Sequence, residues 1–477
     1  MIRAHFAAID LIILGTYFSF TLIVGFWRRK QSTEDYLIAN RSLALPVFVA
    51  TLVATWYGGI LGVGEMTYRY GLVNWTTQGL PYYVFALLFA LFLAKRVREA
   101  SLYTIPDKLA KEYDKKTAIL GAFYAFFMVT PAPYILMVGE LLRITMGIPL
   151  LPALIFGTIF SVIYVYAGGF QSDVRINTFQ FCLMFGGFAL ALPFIFHRFG
   201  GFNWMMMHVP TDHLKFDGGL GFGFTLIWFF IALWTLVDPG FHQRCYAART
   251  PEIAKKGILI AIVCWFVFDF MTTTAGLYTK AIFPHLSEKN IPLAFPILAQ
   301  CLPPVVKGIF YVAMFATVMS AVVSYTFLGA MTIGRDFFWR IGDQKDNEKV
   351  PAYTRIGILL SAGVAIVISY YIPSIVQQWW AIGTVFVPGM LYPVLTGYSP
   401  KLKVGANFSF SELLLGSGVA AACLGIGWIR HGMNADMSDS TLFPFGIQPM
   451  YPGLIVATII YAAGMISAKV RRLERVA

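Results

Sequence analysis

The chain has 477 residues, 58% of them hydrophobic and only 13% charged, about half the charged share of a soluble domain. Its apolar residues fall in blocks of about 20, the length of a membrane-spanning helix, and lack the short alternating segments of a membrane barrel. The net charge of +12 raises nucleic acid as a partner, and the distribution of that charge, taken up below, answers it.

The first block, near residues 8–27, is too long for a signal-peptide core. Trp27, Arg28, Arg29 and Lys30 follow it in place of a small-residue cleavage site, so it reads as a retained first span. Further spans are expected near 44–71, 74–94, 117–146, 149–167, 176–196, 222–242, 257–279, 308–331, 356–373, 375–397, 411–429 and 450–468, about 13 in all. The expected fold is an all-α polytopic membrane protein.

The five cysteines are scattered with no CxxC spacing, and neither a disulfide framework nor a zinc site is implied. The histidines of MMMHVPTDH at 205–213 read as a loop with two loose imidazoles. No GxxxxGK[ST] loop is present, so an ATP-driven pump is not expected. Alternate loops between spans carry roughly 27 of the 36 Lys and Arg residues. The positive-inside rule places these loops in the cytoplasm, with the N-terminus outside and the C-terminus inside. The positive charge is thereby accounted for by orientation, and no basic patch remains for nucleic acid.

Two spans are interrupted. The second carries ATWYGGILGVGE at 54–65, with Gly58, Gly59, Gly62 and Gly64 ahead of Glu65. Five spans later, Asp238-Pro239-Gly240 breaks the seventh. Proline removes a backbone donor and glycine frees the backbone. Interruptions at corresponding positions of two halves mark the binding site of secondary transporters. The competing reading is that the glycines let helices pack closely, and Gly58 and Gly62 have that spacing. The domain scheme that follows is a first helix and loop (1–43), a first five-helix repeat (44–196) and an extracellular loop (197–221). A second, inverted five-helix repeat (222–397) and two peripheral helices with a short tail (398–477) complete it.

Three stretches carry a resemblance. GGFQSDVRINTFQF at 168–181, MFATVMSAVVSYTFLGAMTIGRDFF at 314–338 and TWYGGILGVGEMTYRYGL at 55–72 resemble the fifth, eighth and broken first core helices of the sodium:solute symporter family. The matching positions include Gly168, Gly169, Gln180, Met319, Ser320, Ser324 and Asp336. The resemblance implies the inverted-repeat fold of the leucine transporter, with sodium as coupling ion and no other cofactor. It implies a cation site formed by backbone carbonyls of Leu52 and Thr55 and by Thr317, Ser320 and Ala321. Sodium, a hard cation, takes oxygen ligands. Two positions depart from the family pattern. Ala321 stands where many relatives have a second hydroxyl, and Asn177 stands where the signature has an aspartate linked to coupling. Thr317, one turn before Ala321, and Asp173, one turn before Asn177, are the candidate compensations. Against them stand a hydroxyl bonded back to its own helix and, with Ser172, a helix cap.

Charged groups at membrane depth are functional candidates. Glu65 is expected to pair with Arg69 or Arg143, to contact solute, or to carry a proton. Glu140 and Arg143 share the fourth span, and Asp269 lies in the eighth. Trp56, Tyr57, Gly58, Gly59, Trp234 and Asp238 are solute or gate candidates, and Gln243 and Arg244 are structural or gating residues. The expected function is cation-coupled symport of a small polar solute across the plasma membrane, with a monomer able to act alone. The alternatives are a proton-coupled or uncoupled transporter of the same fold, a membrane sensor, and a membrane-embedded enzyme built around His242 and Asp238.

Overall fold

A computed structural model describes residues 4–27, 32–342, 347–433 and 439–474, with side chains to residue 470. The basic residues Arg28, Arg29 and Lys30 of the first loop, and the side chains of the tail from Arg471, lie outside it. Among the described residues the regular structure is helical, and Leu43 with Ala248 forms one isolated bridge. Among the described residues, eleven helical stretches are long and apolar enough to cross a membrane, or twelve when one bent pair is taken as a span.

In chain order the helices are α1 (Ala8–Gly25), α2 (Leu45–Trp56), α3 (Ile60–Tyr70) and α4 (Trp75–Ala100). There follow α5 (Lys115–Met128), α6 (Ala132–Met146), α7 (Leu150–Phe199) and α8 (Phe222–Ile231). Next come α9 (Trp234–Val237), α10 (Pro239–Ala247), α11 (Pro251–Ile282) and α12 (Val306–Met331). The chain continues through α13 (Val350–Tyr371), α14 (Ile375–Gly397), α15 (Ser417–His431) and α16 (Met450–Glu474).

Two expectations are refined by the structure. The fourth span, expected over 117–146, stands as one apolar stretch, Lys115–Met146, and is interrupted within: α5 stops at Met128 and α6 starts at Ala132. Pro131 supplies no amide to continue α5 and disfavours helical backbone at Thr130 before it. The loop expected at 168–175 is instead helical. α7 runs for 50 residues, about 75 Å at 1.5 Å per residue and more than twice a bilayer core. Gly169, at φ 56° and ψ −150°, divides it into two limbs. A Cβ there would lie 2.5 Å from the Tyr36 ring and 2.6 Å from the Tyr36 carbonyl oxygen. One glycine turns the chain, so Ser172 and Asp173 already belong to the second limb.

α12 forms the centre. It is apolar on every side and buried almost throughout, as such a helix must be in a large helical core. α7, α13, α1, α6 and α2 pack around it. α1 and α16 instead turn Leu11, Ile12, Ile23, Ile459 and Ile466 outward, an apolar girdle that suits acyl chains rather than water.

At one end of the bundle a short helix, Ile105–Glu112, is capped by Thr104, whose hydroxyl accepts the Asp107 amide. The Asp107 carboxylate receives Arg335 at 2.9 Å and Arg340 at 2.5 Å, and Arg340 also reaches Asp336 at 3.1 Å. Burial raises the Asp107 carboxyl, and the two guanidinium groups outweigh it and hold the group below its ordinary range. Its stabilisation is therefore full above the unfolded value of about 4 and is lost as pH falls below it. Asp107→Asn leaves Arg335 facing a neutral amide and Arg340 with Asp336 as its remaining carboxylate, and is expected to cost about 3 kcal/mol. A lower apparent melting temperature at pH 7, with the gap to wild type closing toward pH 3, is the expected readout.

Candidate functional site

The site grows from the gap between α2 and α3. α2 ends at Trp56, Tyr57 takes φ −82° and ψ 8°, and helix resumes at Ile60 after a bend of 54°. Both readings of the glycines hold together here. A Cβ on Gly58 would lie 2.0 Å from the Ala321 methyl, and one on Gly59 would lie 2.4 Å from the Trp379 indole. The backbone is therefore broken and, at the same place, pressed against α12 and α14.

The expected cation ligands lie on α2 and α12. Leu52, Thr55, Thr317, Ser320 and Ala321 are all buried. The Thr55 carbonyl takes only a long contact, 3.4 Å, from the Gly58 amide. The Ser320 hydroxyl has the Ala54 carbonyl at 2.8 Å and the Thr317 carbonyl at 2.7 Å as acceptors, so it ties α2 to α12. The Thr317 hydroxyl donates back to the Ala313 carbonyl at 2.7 Å, which uses its hydrogen and leaves its lone pairs. Ala321 contributes a methyl to the Gly58 contact and no side-chain oxygen.

Directly beside these residues is a buried polar network. Nη2 of Arg244, on α10, donates to Thr55 Oγ1 at 2.8 Å and Ser324 Oγ at 2.9 Å, and lies 3.3 Å from Asp173 Oδ2. Ser324 donates to Asp173 Oδ1 at 2.6 Å, and Asn177 Nδ2 reaches the same oxygen at 3.0 Å. Arg244 Nη1 is held by Gln243 Oε1 at 2.8 Å, and its guanidinium lies over Phe170. Arg244, Asp173 and Asn177 are fully buried. Asp173 caps no helix: its oxygens are directed at Ser324, Asn177 and Arg244. It places a carboxylate one turn from the amide of Asn177, on the same face. A buried carboxylate requires such a partner.

The other side of the break faces a cavity. Trp56, Tyr57, Gly59 and Trp234, expected from the sequence, line it. Gly58 and Asp238 are not among the lining residues. Asp238 instead caps α10, accepting the Phe241 amide at 2.9 Å with Pro239 in the first turn. Tyr82, Tyr134, Tyr325 and Trp379 complete an aromatic wall that sequence reasoning missed. They come from four different helices, and nothing in the chain distinguishes them from packing aromatics. Asp269, noticed only as an intramembrane charge, is the lining carboxylate. It accepts Tyr57 Oη at 2.5 Å and the Tyr83 hydroxyl, and Tyr57 also contacts Thr272 at 2.6 Å.

Glu65 is not a lining residue of this cavity. It lies 3.3 Å from Arg69, which also holds Glu288 at 2.8 Å, while Arg143 pairs with Glu140 at 2.6 Å. His242 meets Tyr398 Oη and the Leu236 carbonyl, each at 3.2 Å, and makes no side-chain pair with Asp238.

The family model described as "Sodium:solute symporter family" matches residues 36–394. The chain belongs to the sodium:solute symporter family. Its family relatives include a sodium/glucose cotransporter of Vibrio parahaemolyticus, 24% identical over 85% of each chain. A sodium/pantothenate symporter of Escherichia coli (strain K12) is 23% identical over 91% of this chain and 92% of its own. Among solved structures, a Na+-coupled sialic acid symporter in a substrate-bound outward-open state covers 98% of both chains with a TM-score of 0.77 at 15% identity. A nucleobase-cation-symport-1 family transporter follows with a TM-score of 0.56 at 12% identity. These likenesses establish the fold.

Asp173→Asn strands the Arg244 guanidinium in the core and is expected to cost about 3 kcal/mol or more. The double variant Asp173→Asn with Arg244→Met removes the stranded charge. It should melt at a higher temperature than Asp173→Asn alone, measured by thermal unfolding of the two purified proteins.

Proposed function

We propose that the protein is a secondary active transporter that moves a small polar solute together with sodium across the plasma membrane by alternating access. One observation carries the reading. The α2–α3 break has the candidate cation ligands of α2 and α12 on one side and an aromatic-lined cavity on the other. A single interrupted element would thus sense both ion and solute, the arrangement that lets binding of one shift the affinity for the other.

In this reading the cation sits among the carbonyls of Leu52, Thr55, Thr317 and Ala321 and the Ser320 hydroxyl. The Thr317 oxygen fills the place left by Ala321. Asp173 serves as the coupling carboxylate in place of Asn177, and Arg244 balances its charge within the network. Glu65 stabilises the α3 limb through Arg69. The solute occupies the cavity beside Trp56, Tyr57 and Trp234. The chain carries two inverted five-helix repeats over 44–196 and 222–397, about 13 spans, an outside N-terminus and a cytoplasmic C-terminus. Support comes from the paired interruptions at 57–59 and Asp238, from the division of α7 at Gly169 and from the distribution of Lys and Arg. Both repeats lie in one chain, so a monomer suffices.

The test is thermal unfolding of the purified protein in sodium chloride against potassium chloride at matched ionic strength. Sodium at tenfold its dissociation constant should stabilise the folded state by about 1.4 kcal/mol. Thr317→Val should shrink that rise. Equal melting in both salts, with and without solute, would sink sodium coupling.

A further inference from the structure

We infer that the solute is an organic cation, a quaternary or primary ammonium compound held by the aromatic wall and the Asp269 carboxylate. The inference rests on the cavity being the solute site. Seven of its fifteen lining residues are aromatic and none of the fifteen is Lys, Arg or His.

The charge arrangement comes first. Asp269 is buried, and both its oxygens accept phenol hydrogens, from Tyr57 and Tyr83. Phenols stabilise a carboxylate without neutralising it. Among the described residues no basic side chain pairs with Asp269. Of the other fully buried carboxylates near the break, Asp173 faces Arg244, and Asp238 caps α10 through Oδ1 and is not a lining residue of the cavity. The carboxylate at the cavity wall therefore has lone pairs to spare and no counter-ion. A carboxylate in that position is stabilised by a cationic solute and disfavours an anionic one.

The rings make the second contribution. Tyr134 and Tyr325 stack with centroids 5.0 Å apart, and Trp56 meets Tyr82 edge-on at 5.6 Å. Trp379 lies 6.4 Å from Tyr134 and is tilted by 53°. Rings in several orientations thus line one cavity, and aromatic rings grouped around a site are how ammonium groups are held. Three polar groups of lining residues are buried without a partner, the Gln78 amide nitrogen, the Thr130 hydroxyl and the Trp234 indole nitrogen, and they can bond a hydroxyl or carbonyl elsewhere on the solute.

The test uses the full chain in nanodiscs and reads tryptophan fluorescence, since Trp56, Trp234 and Trp379 line the cavity. Choline is titrated against its uncharged carbon isostere 3,3-dimethylbutan-1-ol, with lactate and glucose as anionic and neutral probes. Sodium is exchanged for potassium, because an organic cation as the replacement ion would itself be a probe. The expected result is saturation by choline at roughly tenfold lower concentration than by the isostere, with Asp269→Asn bringing the two close together. Equal response to the isostere, preference for lactate or glucose, or no response to any probe would overturn the inference. The wild-type comparison decides the question even if Asp269→Asn fails to fold. A sodium-dependent melting rise without a choline response would leave the transporter reading standing and remove this one. A choline response without the sodium rise would do the reverse for sodium coupling.

Discussion

A backbone that leaves the helix inside a membrane exposes amides and carbonyls that lipid cannot satisfy, so it must be wrapped in protein or open onto a polar cavity. The gap at Tyr57, Gly58 and Gly59 meets this demand on both sides. α12 closes one side through Ser320 and Ala321, and the aromatic cavity takes the other. The arrangement of the centre follows from that requirement. α12 has to be largely apolar to sit in the middle, and three of the hydroxyls it carries, Thr317, Ser320 and Ser324, lie on the face turned to the break or to the network beside it. The chain also alternates its allegiance residue by residue. Thr55 and Ser324 enter the Arg244 network, while their neighbours Trp56 and Tyr325 line the cavity.

Much of this was legible in the chain because the membrane imposes simple rules. Apolar length gave the spans, and Gly-Gly and Asp-Pro-Gly gave the two interruptions. The motif at 168–181 pointed to Asp173 and Asn177, and the structure brings both to one carboxylate–guanidinium centre. What failed was local. Gly169 turns α7 without a loop, because a single positive φ does the work for which sequence reasoning reserved eight residues. The interruption at Thr130-Pro131 hid inside a long apolar run, since the proline stands at the start of α6 and looks like an ordinary tolerated residue. The cavity wall was hidden for a different reason. Tyr82, Tyr134, Tyr325 and Trp379 are far apart in the chain, and an aromatic on an apolar helix carries no sign of whether it faces lipid, core or cavity.

The buried charges show how differently equivalent groups are used. Glu65 and Glu140 each lean on an arginine of their own helix, one turn away. Asp107 gathers two arginines at the end of the bundle and fastens a short connecting helix to the chain after α12. Asp173 and Arg244 join two helices distant in sequence, and through Thr55 and Ser324 they reach two more. One guanidinium nitrogen thus meets a carboxylate and two hydroxyls from three different helices. Asp269 stands apart from them all, since its protein partners are phenols.

The contact between Gly58 and Ala321 binds a glycine of the break and a departure from the family pattern into one steric unit. A methyl at 58 would occupy the space that the Ala321 methyl fills, 2.0 Å away. Any bulk added at 321 must in turn lean past the Gly58 backbone, where the helix is already open. The two positions, 263 residues apart in the chain, therefore share one space, and the width of the opening in the helix sets how much side chain position 321 can carry.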